Sequence, residues 1–296
     1  MVNARLKIAF VWPGYRLHNG KRFKDGLWAA LEILKQKHEV RGFEPSEEAM
    51  IHGFRPDVVL YWGALIEPTK EQVSRLPYKK AICFAGGPIE PQIADGFDLY
   101  FTESEVNERD FKKLGKPYMR AFGVNEKLYK PMSLEKKYDA IFFGTHALWK
   151  RNDLFAHAVG RRGISIGIFQ DHEKECYEIP REEGCEVHDE LPREEVVKFI
   201  NQSHTALNTA GVWGGGQRMT LESMACDVPP IVMNDSPKNI EYVKESGVGL
   251  VVNPDVDEIR DAISKLRGTK GGRDYILSKF SSQHYADALE KGLLSL

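Results

Sequence analysis

The sequence predicts an α/β protein made of two doubly wound domains. Three observations support this prediction: short apolar runs typical of buried parallel strands, helical segments that alternate with those runs, and a break in the alternation at residues 123–137. The 296 residues are enough for two domains of ordinary size. We expect a first domain at 1–122, a linker at 123–137 and a second domain at 138–280.

The first domain opens with the apolar run LKIAFV at 6–11, which predicts a buried strand. Apolar residues at spacings of three and four then predict a helix around Leu27 and Leu31. Further apolar runs predict strands at 58–62, 81–84 and 98–102.

The second domain repeats this alternation. Its strands are predicted at 138–143, 165–169, 205–208, 230–233 and 249–252. Its helices are predicted at 152–159, 193–203, 219–226 and 257–266, and the segment 281–296 is expected to form a helix. Two such domains place their loops at the carboxyl ends of the strands, so we expect the binding site in a cleft there.

The composition sets limits on the kind of function. A hydrophobic content of 42%, a charged content of 28% and a net charge of −2 are typical of a globular protein without overall attraction to nucleic acid. No apolar run approaches the roughly 20 residues of a membrane span, and the first residues lack a signal-peptide pattern. We therefore expect a cytoplasmic protein with at most peripheral membrane contact.

Metal chemistry is not indicated by the ligand-type residues. The four cysteines lack metal-binding or redox spacing, and the histidines are scattered. Asp255 and Asp257 form an Asp-x-Asp triplet, but the triplet follows Pro254 and opens a helix, so one of the two aspartates is expected to cap that helix. We expect no metal and no cofactor.

The most informative segment is GVWGGGQRMTLESMACDVPPIVMND at 211–235. Three glycines run directly into a predicted helix, whose free amides suit an anion. Arg218 adds a planar cation suited to phosphate oxygens, and the Glu222 carboxylate is able to accept hydrogen bonds from a ribose diol. This combination favours a site for a sugar nucleotide.

The C-terminal half resembles the nucleotide-sugar-binding domain of the group 1 glycosyltransferases of the GT-B fold. Four elements carry the resemblance in the family's order: Gly123-Val124-Asn125 with Pro131, Gly144 with Lys150, Glu222-Ser223-Met224-Ala225-Cys226, and Glu241-Tyr242-Val243 with Gly249-Leu250-Val251-Val252. The resemblance implies two Rossmann-like domains facing across a cleft, and a last helix (281–296) that crosses back to the first domain.

Three positions depart from the family pattern. Gly214 stands where retaining members carry the first of two glutamates, Thr145 replaces an arginine, and Asp227 replaces a glycine. The spacing of Arg218 and Glu222 resembles a divergent subgroup related to spore-coat glycosyltransferase-like proteins. The departure at Gly214 leaves retaining and inverting mechanisms open.

The resemblance also assigns roles to individual residues. Lys150 and Arg218 are expected to neutralise the leaving diphosphate, and His18 is a candidate for the acceptor side; these three form the predicted catalytic set. Glu222 is expected to hold the ribose hydroxyls. The further donor-binding candidates are Thr220, Met219, Gln217, Gly216, Gly215, Gly14, Thr145, Arg151 and His188. Glu90 is a candidate base for an inverting enzyme.

The sequence therefore predicts a metal-independent glycosyltransferase that moves a hexosyl group from a nucleoside-diphosphate sugar to an acceptor hydroxyl. The second domain is expected to bind the donor, with UDP as the first candidate nucleotide. Three alternatives stay open: a sugar-nucleotide epimerase or hydrolase, a non-catalytic nucleotide-sugar binder, and a glycosyltransferase acting on modified DNA, which the near-neutral charge disfavours. The acceptor, whether saccharide, lipid-linked, protein or small molecule, is not indicated.

Overall fold

The computed structural model describes residues 5–15, 25–63, 68–84, 95–168, 175–212 and 217–296. The chain divides into two compact units, each containing one parallel sheet. The N-terminal unit comprises residues 1–125 and 280–296, and the C-terminal unit comprises residues 126–279.

The described strands of the N-terminal unit are β1 (Lys7–Val11), β2 (Glu39–Phe43), β3 (Val58–Gly63), β4 (Lys79–Phe84), β5 (Leu99–Thr102) and β6 (Tyr118–Arg120). Its described helices before residue 126 are α1 (Gly26–Leu34), α2 (Glu48–Phe54), α3 (Pro68–Ser74) and α4 (Glu105–Lys113). The strand order is β2-β1-β3-β4-β5-β6, and each neighbouring pair is parallel.

Both faces of this sheet are buried, which explains why its central strands are continuously apolar. On β1, Ile8 and Phe10 pack with α1, whereas Ala9 and Val11 pack with α2 on the opposite face. Helix α1 begins where the Asp25 carboxylate accepts a hydrogen bond from the Trp28 amide at 3.0 Å. Alternation along one strand thus supports two helical layers.

The described strands of the C-terminal unit are β7 (Tyr138–Phe143), β8 (Gly163–Ile166), β9 (Glu186–His188), β10 (Ser203–Asn208), β11 (Pro230–Met233) and β12 (Leu250–Val252). Its described helices are α5 (Asn152–Val159), α6 (Glu175–Glu182), α7 (Arg193–Asn201), α8 (Gln217–Ala225), α9 (Pro237–Ser246), α10 (Val256–Leu266) and α11 (Arg273–Lys279). The strand order is β12-β11-β10-β7-β8-β9, again parallel throughout.

Helix α10 confirms the predicted aspartate cap. The Asp255 carboxylate accepts hydrogen bonds from the Asp257 and Glu258 amides, both at 3.0 Å. Asp255 therefore satisfies two amides of the first turn, which would otherwise lack partners within the helix.

The segment between the sheets is packed onto the C-terminal unit. The Met132 amide donates to the Asn201 side chain at 2.7 Å, and the Lys136 ammonium donates to the Ser203 carbonyl at 2.7 Å. Arg273 donates to the Glu126 carbonyl at 3.1 Å. Residues 126–137 thus belong to the C-terminal unit, although the sequence predicts a linker there.

The last helix, α12 (Ser282–Leu294), belongs to the N-terminal unit. Its Leu289 and Leu293 are buried in the same cluster as Leu31 of α1. Just before this helix, the Phe280 carbonyl accepts a hydrogen bond from the Val124 amide at 2.8 Å. Among the described residues, no helix is long and apolar enough to cross a membrane.

Replacement of Gly26 by alanine should destabilise the N-terminal unit. A Cβ atom at Gly26 would lie 1.8 Å from the Gly123 carbonyl oxygen, so the backbone would have to move. We expect the free energy of unfolding to fall by about 1–3 kcal/mol, as for other overpacked sites. Chemical denaturation measures the change.

Gly53→Ala is the matched control, because Gly53 also lies in a helix, α2, and a Cβ there meets no atom within 4 Å. The control should gain about 0.5–1 kcal/mol from the better helix propensity of alanine. Equal effects of the two substitutions would contradict the close approach of α1 to Gly123.

Candidate functional site

The candidate site lies at the carboxyl ends of β7 and β10. Strands β8 and β9 follow β7 in sequence and lie on one side of it in the sheet. The next strand, β10, lies on the other side of β7. Loops leave the ends of these two strands in opposite directions, which opens the crevice where doubly wound sheets bind ligands. Residues 144–151 follow β7 and residues 209–212 follow β10, so the described parts of both predicted phosphate-binding segments meet there.

A buried histidine anchors the loop after β7 to the neighbouring strand, β8. The His146 Nε2 atom lies 2.7 Å from the Ser165 hydroxyl on β8, and the ring is fully buried. Burial lowers the pKa of His146 to about 4, so the ring is neutral near pH 7. Gly144 precedes it with φ of +142°, a backbone conformation that favours glycine. Thr145 lies half-buried between them.

Lys150 ends this loop in a short 3₁₀ turn, Leu148–Lys150. The Thr209 hydroxyl donates a hydrogen bond to the Lys150 carbonyl at 2.6 Å, which ties the loop after β7 to the loop after β10. The Lys150 side chain is half-exposed at this junction. The structure therefore brings Lys150 to the start of the glycine-rich segment.

Arg151, the neighbouring candidate, is engaged by a carboxylate. Its guanidinium donates two hydrogen bonds to Asp235, in the loop after β11, one of them at 3.2 Å. The pair packs against Gly211, where a Cβ atom would lie 2.4 Å from the Arg151 Nη2 atom. Because Asp235 counters its charge, Arg151 orders the loops, and its role toward a diphosphate stays a prediction.

Helix α8 carries four of the candidates as described side chains. Arg218 is half-exposed in the first turn, whereas Met219, Thr220 and Glu222 are 4%, 1% and 4% exposed. Met219 is therefore a core side chain, which leaves its backbone for any ligand contact. Burial of a glutamate this deep is uncommon in proteins without a specific role for the carboxylate.

A buried polar network holds the start of α8. The Thr220 hydroxyl accepts from the Asn208 side chain at 3.0 Å and donates to the Asn239 side chain at 2.8 Å. Asn239 in turn donates to the Ser236 hydroxyl at 2.8 Å. The Thr220 hydroxyl thus joins β10, α8 and α9, and its proposed contact with a donor phosphate stays a prediction.

Glu222 lies next to Cys226 one turn further along the helix. Burial first, and then the Glu222 carboxylate, raise the pKa of the Cys226 thiol well above its usual range. Cys226 is therefore an inert core thiol, as the sequence indicates, and the Glu222 carboxylate lies in a largely desolvated environment.

Asp227 explains one departure from the family pattern. It has φ of +60°, the left-handed conformation that usually selects glycine and that aspartate tolerates. Its carboxylate accepts a hydrogen bond from the Gly271 amide at 2.9 Å. The aspartate therefore anchors the loop before α11 while making the same turn as the family's glycine.

His188 is held at the edge of the sheet. Its ring packs on Phe199 with centroids 5.3 Å apart, and its Nε2 atom lies 2.6 Å from the Glu186 carboxylate. The Gly167 amide donates to the His188 carbonyl at 3.1 Å. Both the ring and the carbonyl thus have local partners, and the predicted nucleobase contact is untested.

Within the N-terminal unit, a separate group of residues lies at the ends of β1 and β3. The Gly14 amide donates to the Glu44 carboxylate at 2.8 Å, and Gly14 has φ of +90°. A small apolar pocket lies nearby, and its lining residues include the rings of Trp12 and Trp62, whose centroids are 5.9 Å apart, and Asp25. Such a pocket suits the apolar face of a ligand.

Several predicted positions lie outside the described residues: His18, Glu90, Gly215 and Gly216, together with the side chain of Gln217. Asn208, Thr209, Asp235 and Asn239 were not predicted as site residues from the sequence. Asn208 ends β10, Thr209 directly follows it, and Asp235 is the second residue after β11. Polar residues at the carboxyl ends of parallel strands are the signal by which these three could have been found.

Residues 134–271 match the family model described as glycosyl transferases group 1. This match lies within the C-terminal unit and confirms the resemblance of that unit to the group 1 glycosyltransferases. The narrower assignment to a spore-coat-related subgroup stays a prediction. No curated protein matches the chain in sequence.

Three solved structures are similar over nearly the whole chain. Sucrose-phosphate synthase from Thermosynechococcus elongatus has 13% identity and a TM-score of 0.75, covering 98% of both chains. AviGT4, a glycosyltransferase involved in avilamycin A biosynthesis, has 20% identity and a TM-score of 0.72, covering 98% of both chains. Anabaena HepE in complex with UDP and glucose has 12% identity and a TM-score of 0.74, covering 99% of this chain and 100% of HepE. At these identities the likeness establishes the fold, and it confirms the predicted GT-B class.

Thr220→Val should destabilise the C-terminal unit, because it removes the hydroxyl that serves two buried asparagines. We expect a loss of about 1–3 kcal/mol in the free energy of unfolding. Thr220→Ser keeps the hydroxyl and should lose less. Chemical denaturation compares the two variants, and equal stability of Thr220→Val and wild type would contradict the network.

His146 should make the stability of the protein depend on pH. Its folded pKa of about 4 lies below the unfolded value of 6.5, so its contribution is fully present above pH 6.5 and is lost as the pH falls towards 4. Wild type should lose about 2 kcal/mol relative to His146→Gln between pH 7 and pH 4.5. Denaturation at the two pH values measures this, and a difference that does not change with pH would contradict the buried neutral ring.

Proposed function

We propose that the chain transfers a hexosyl group from a nucleoside-diphosphate sugar to an acceptor hydroxyl, and that the C-terminal unit binds the donor. The observation that carries this proposal is the buried Glu222 carboxylate. It lies on α8, the helix that follows β10 at the crevice between the carboxyl ends of β7 and β10. A desolvated acceptor group beside a helix start suits a ligand with both hydroxyls and an anion.

Glu222 holds the ribose in this proposal. An ionised carboxylate accepts hydrogen bonds only, and two adjacent hydroxyl groups match its two oxygens. The network of Asn208, Thr220 and Asn239 fixes the helix that carries it, so the carboxylate is positioned before the donor arrives. Preorganisation of this kind reduces the entropic cost of binding.

Lys150 and Arg218 stabilise the leaving diphosphate. Breaking the glycosidic bond of the donor places negative charge on the nucleoside diphosphate, and fixed cations next to that charge lower the barrier. Both residues lie next to the crevice between the ends of β7 and β10. Lys150 comes just before α5, and Arg218 lies in the first turn of α8. These cations supply the charge that a divalent metal would otherwise supply, so we propose transfer without a bound metal or cofactor.

UDP is the first nucleotide to test, because HepE, a structurally similar protein, is known in complex with UDP and with UDP-glucose. The N-terminal unit takes the acceptor in this proposal, and the pocket at Trp12 and Trp62 is the candidate contact for a sugar or another partly apolar group. A cytoplasmic location fits a donor of this type.

Glu222→Gln should weaken donor binding at least tenfold. It keeps the shape of the side chain but removes the charge from hydrogen bonds that contribute about 1.5–3 kcal/mol each. Calorimetric titration of UDP, GDP, ADP and dTDP against wild type and Glu222→Gln measures the change. Glu195→Gln, in α7, is the control, because the Glu195 side chain is 45% exposed and pairs with Lys198; this variant should bind as wild type does.

Unchanged affinity in Glu222→Gln would remove the ribose assignment, and no binding of any nucleotide to wild type would remove the donor site. Product analysis by mass spectrometry then separates the enzyme classes. Transfer requires a new glycoside in the presence of an acceptor, whereas a hydrolysed or epimerised donor without acceptor would favour the hydrolase or epimerase. Binding without turnover would indicate a non-catalytic binder, and salt-sensitive DNA binding would favour the nucleic-acid alternative.

A further inference from the structure

Asn152 is a buried amide next to the candidate donor site that no family element predicts. It is the first residue of α5 and follows Lys150 and Arg151 directly. Its exposure is 1%, and it shares the buried side of the helix with Phe155, whose ring lies 6.0 Å from that of Phe142 on β7. Asn152 therefore lies on the side of α5 that faces the sheet.

Among the described residues, neither Nδ2 nor Oδ1 of Asn152 has a hydrogen-bond partner, although both are buried. Most buried polar side-chain atoms in proteins are hydrogen-bonded, because leaving one unpaired costs free energy. The arrangement is costly in the absence of a ligand and needs a physical reason.

Asn201, in the same unit, shows the ordinary arrangement. It is 3% exposed and ends α7, before the amino end of β10. Its Oδ1 atom accepts from the Met132 amide at 2.7 Å, and its Nδ2 atom donates to the Lys130 and Val197 carbonyls at 3.1 and 2.9 Å. A buried asparagine at the amino end of the sheet is thus satisfied, whereas the one at the carboxyl end is not.

The surroundings of Asn152 favour an anionic ligand. Side chains in a helix tilt toward its N-terminus, so a sheet-facing first residue extends toward the ends of β7 and β10. The preceding residues contact Thr209 and Gly211, which begin the glycine-rich loop. The start of the eight-residue helix α5 adds free amides and a partial positive charge at the same place.

We propose that Asn152 binds the sugar-phosphate part of the donor. Nδ2 donates to an oxygen of the phosphate next to the transferred sugar, and Oδ1 accepts from a hydroxyl of that sugar. An amide needs one acceptor and one donor group from its ligand, and a sugar phosphate offers both within a few bonds. Asn152 is then a specificity-determining residue, since a nucleoside diphosphate without the sugar satisfies only Nδ2. This inference rests on the proposed function of the same site.

Asn152→Leu tests the proposal, because leucine has a similar volume and no polar atoms. Titration calorimetry with UDP-glucose and UDP is run on wild type, Asn152→Leu and Asn152→Asp, with Asn201→Leu as the matched control. Thermal unfolding is measured without ligand. If another nucleotide binds more tightly to wild type, that nucleotide and its hexose derivative replace the uridine pair.

We expect Asn152→Leu to raise the thermal midpoint by about 2 °C or more, because an unsatisfied buried amide is removed. The same variant should bind UDP-glucose at least tenfold more weakly and UDP only a fewfold more weakly. Asn152→Asp should weaken both at least tenfold through repulsion of the diphosphate. Asn201→Leu should lower the midpoint and leave both affinities unchanged.

A lower midpoint in Asn152→Leu together with unchanged affinities would show that a structural water satisfies the amide, and it would overturn the proposal. Wild-type affinity for UDP-glucose in both Asn152 variants would also overturn it, while weaker binding in Glu222→Gln would leave the proposed function standing. Failure of wild type to bind any nucleotide sugar would overturn both proposals.

Discussion

The Thr220 hydroxyl is the interaction on which the geometry of the C-terminal site depends. It joins the end of β10, the start of α8 and the first turn of α9 through two asparagines. Helix α8 carries Arg218 and Glu222, so the position of both side chains follows from this one buried group. A second tie, from Thr209 to the Lys150 carbonyl, fixes the loop after β7 to the same strand end. Candidate ligand groups from separate loops are therefore held by groups that need not touch a ligand themselves.

The sequence predicted the central strands well, because burial on both faces leaves a continuous apolar run that is easy to recognise. Strands β2, β6 and β9 were missed for the opposite reason. All three are edge strands with partly exposed sequences, EVRGF, YMR and EVH, so they depend on one neighbour instead of on an apolar pattern. The contacts of residues 126–137 could not be predicted either, since their hydrogen bonds to Asn201 and Arg273 come from distant parts of the chain.

Site prediction had a different limit. The sequence located Lys150, Arg218 and Glu222 at strand and helix ends, and the structure brings their segments together. A sequence cannot show which polar side chains are hydrogen-bonded or ion-paired within the folded protein. The His188 ring is engaged by Glu186 and Phe199, and the Arg151 guanidinium is engaged by Asp235. These partners become visible only when the strands are placed side by side.

The contrast between satisfied and unsatisfied buried groups separates structural from functional polarity in this unit. Groups that stabilise the fold have protein partners. Both polar atoms of the Asn201 side chain are hydrogen-bonded, and the Thr220 hydroxyl both accepts and donates a hydrogen bond. Neither polar atom of Asn152 has such a partner among the described residues, and Asn152 lies where two loops and a helix start meet. Such a group lowers the stability of the free protein, and a ligand that supplies the missing partners recovers that free energy on binding. A site built this way converts part of the folding stability into affinity for one kind of ligand.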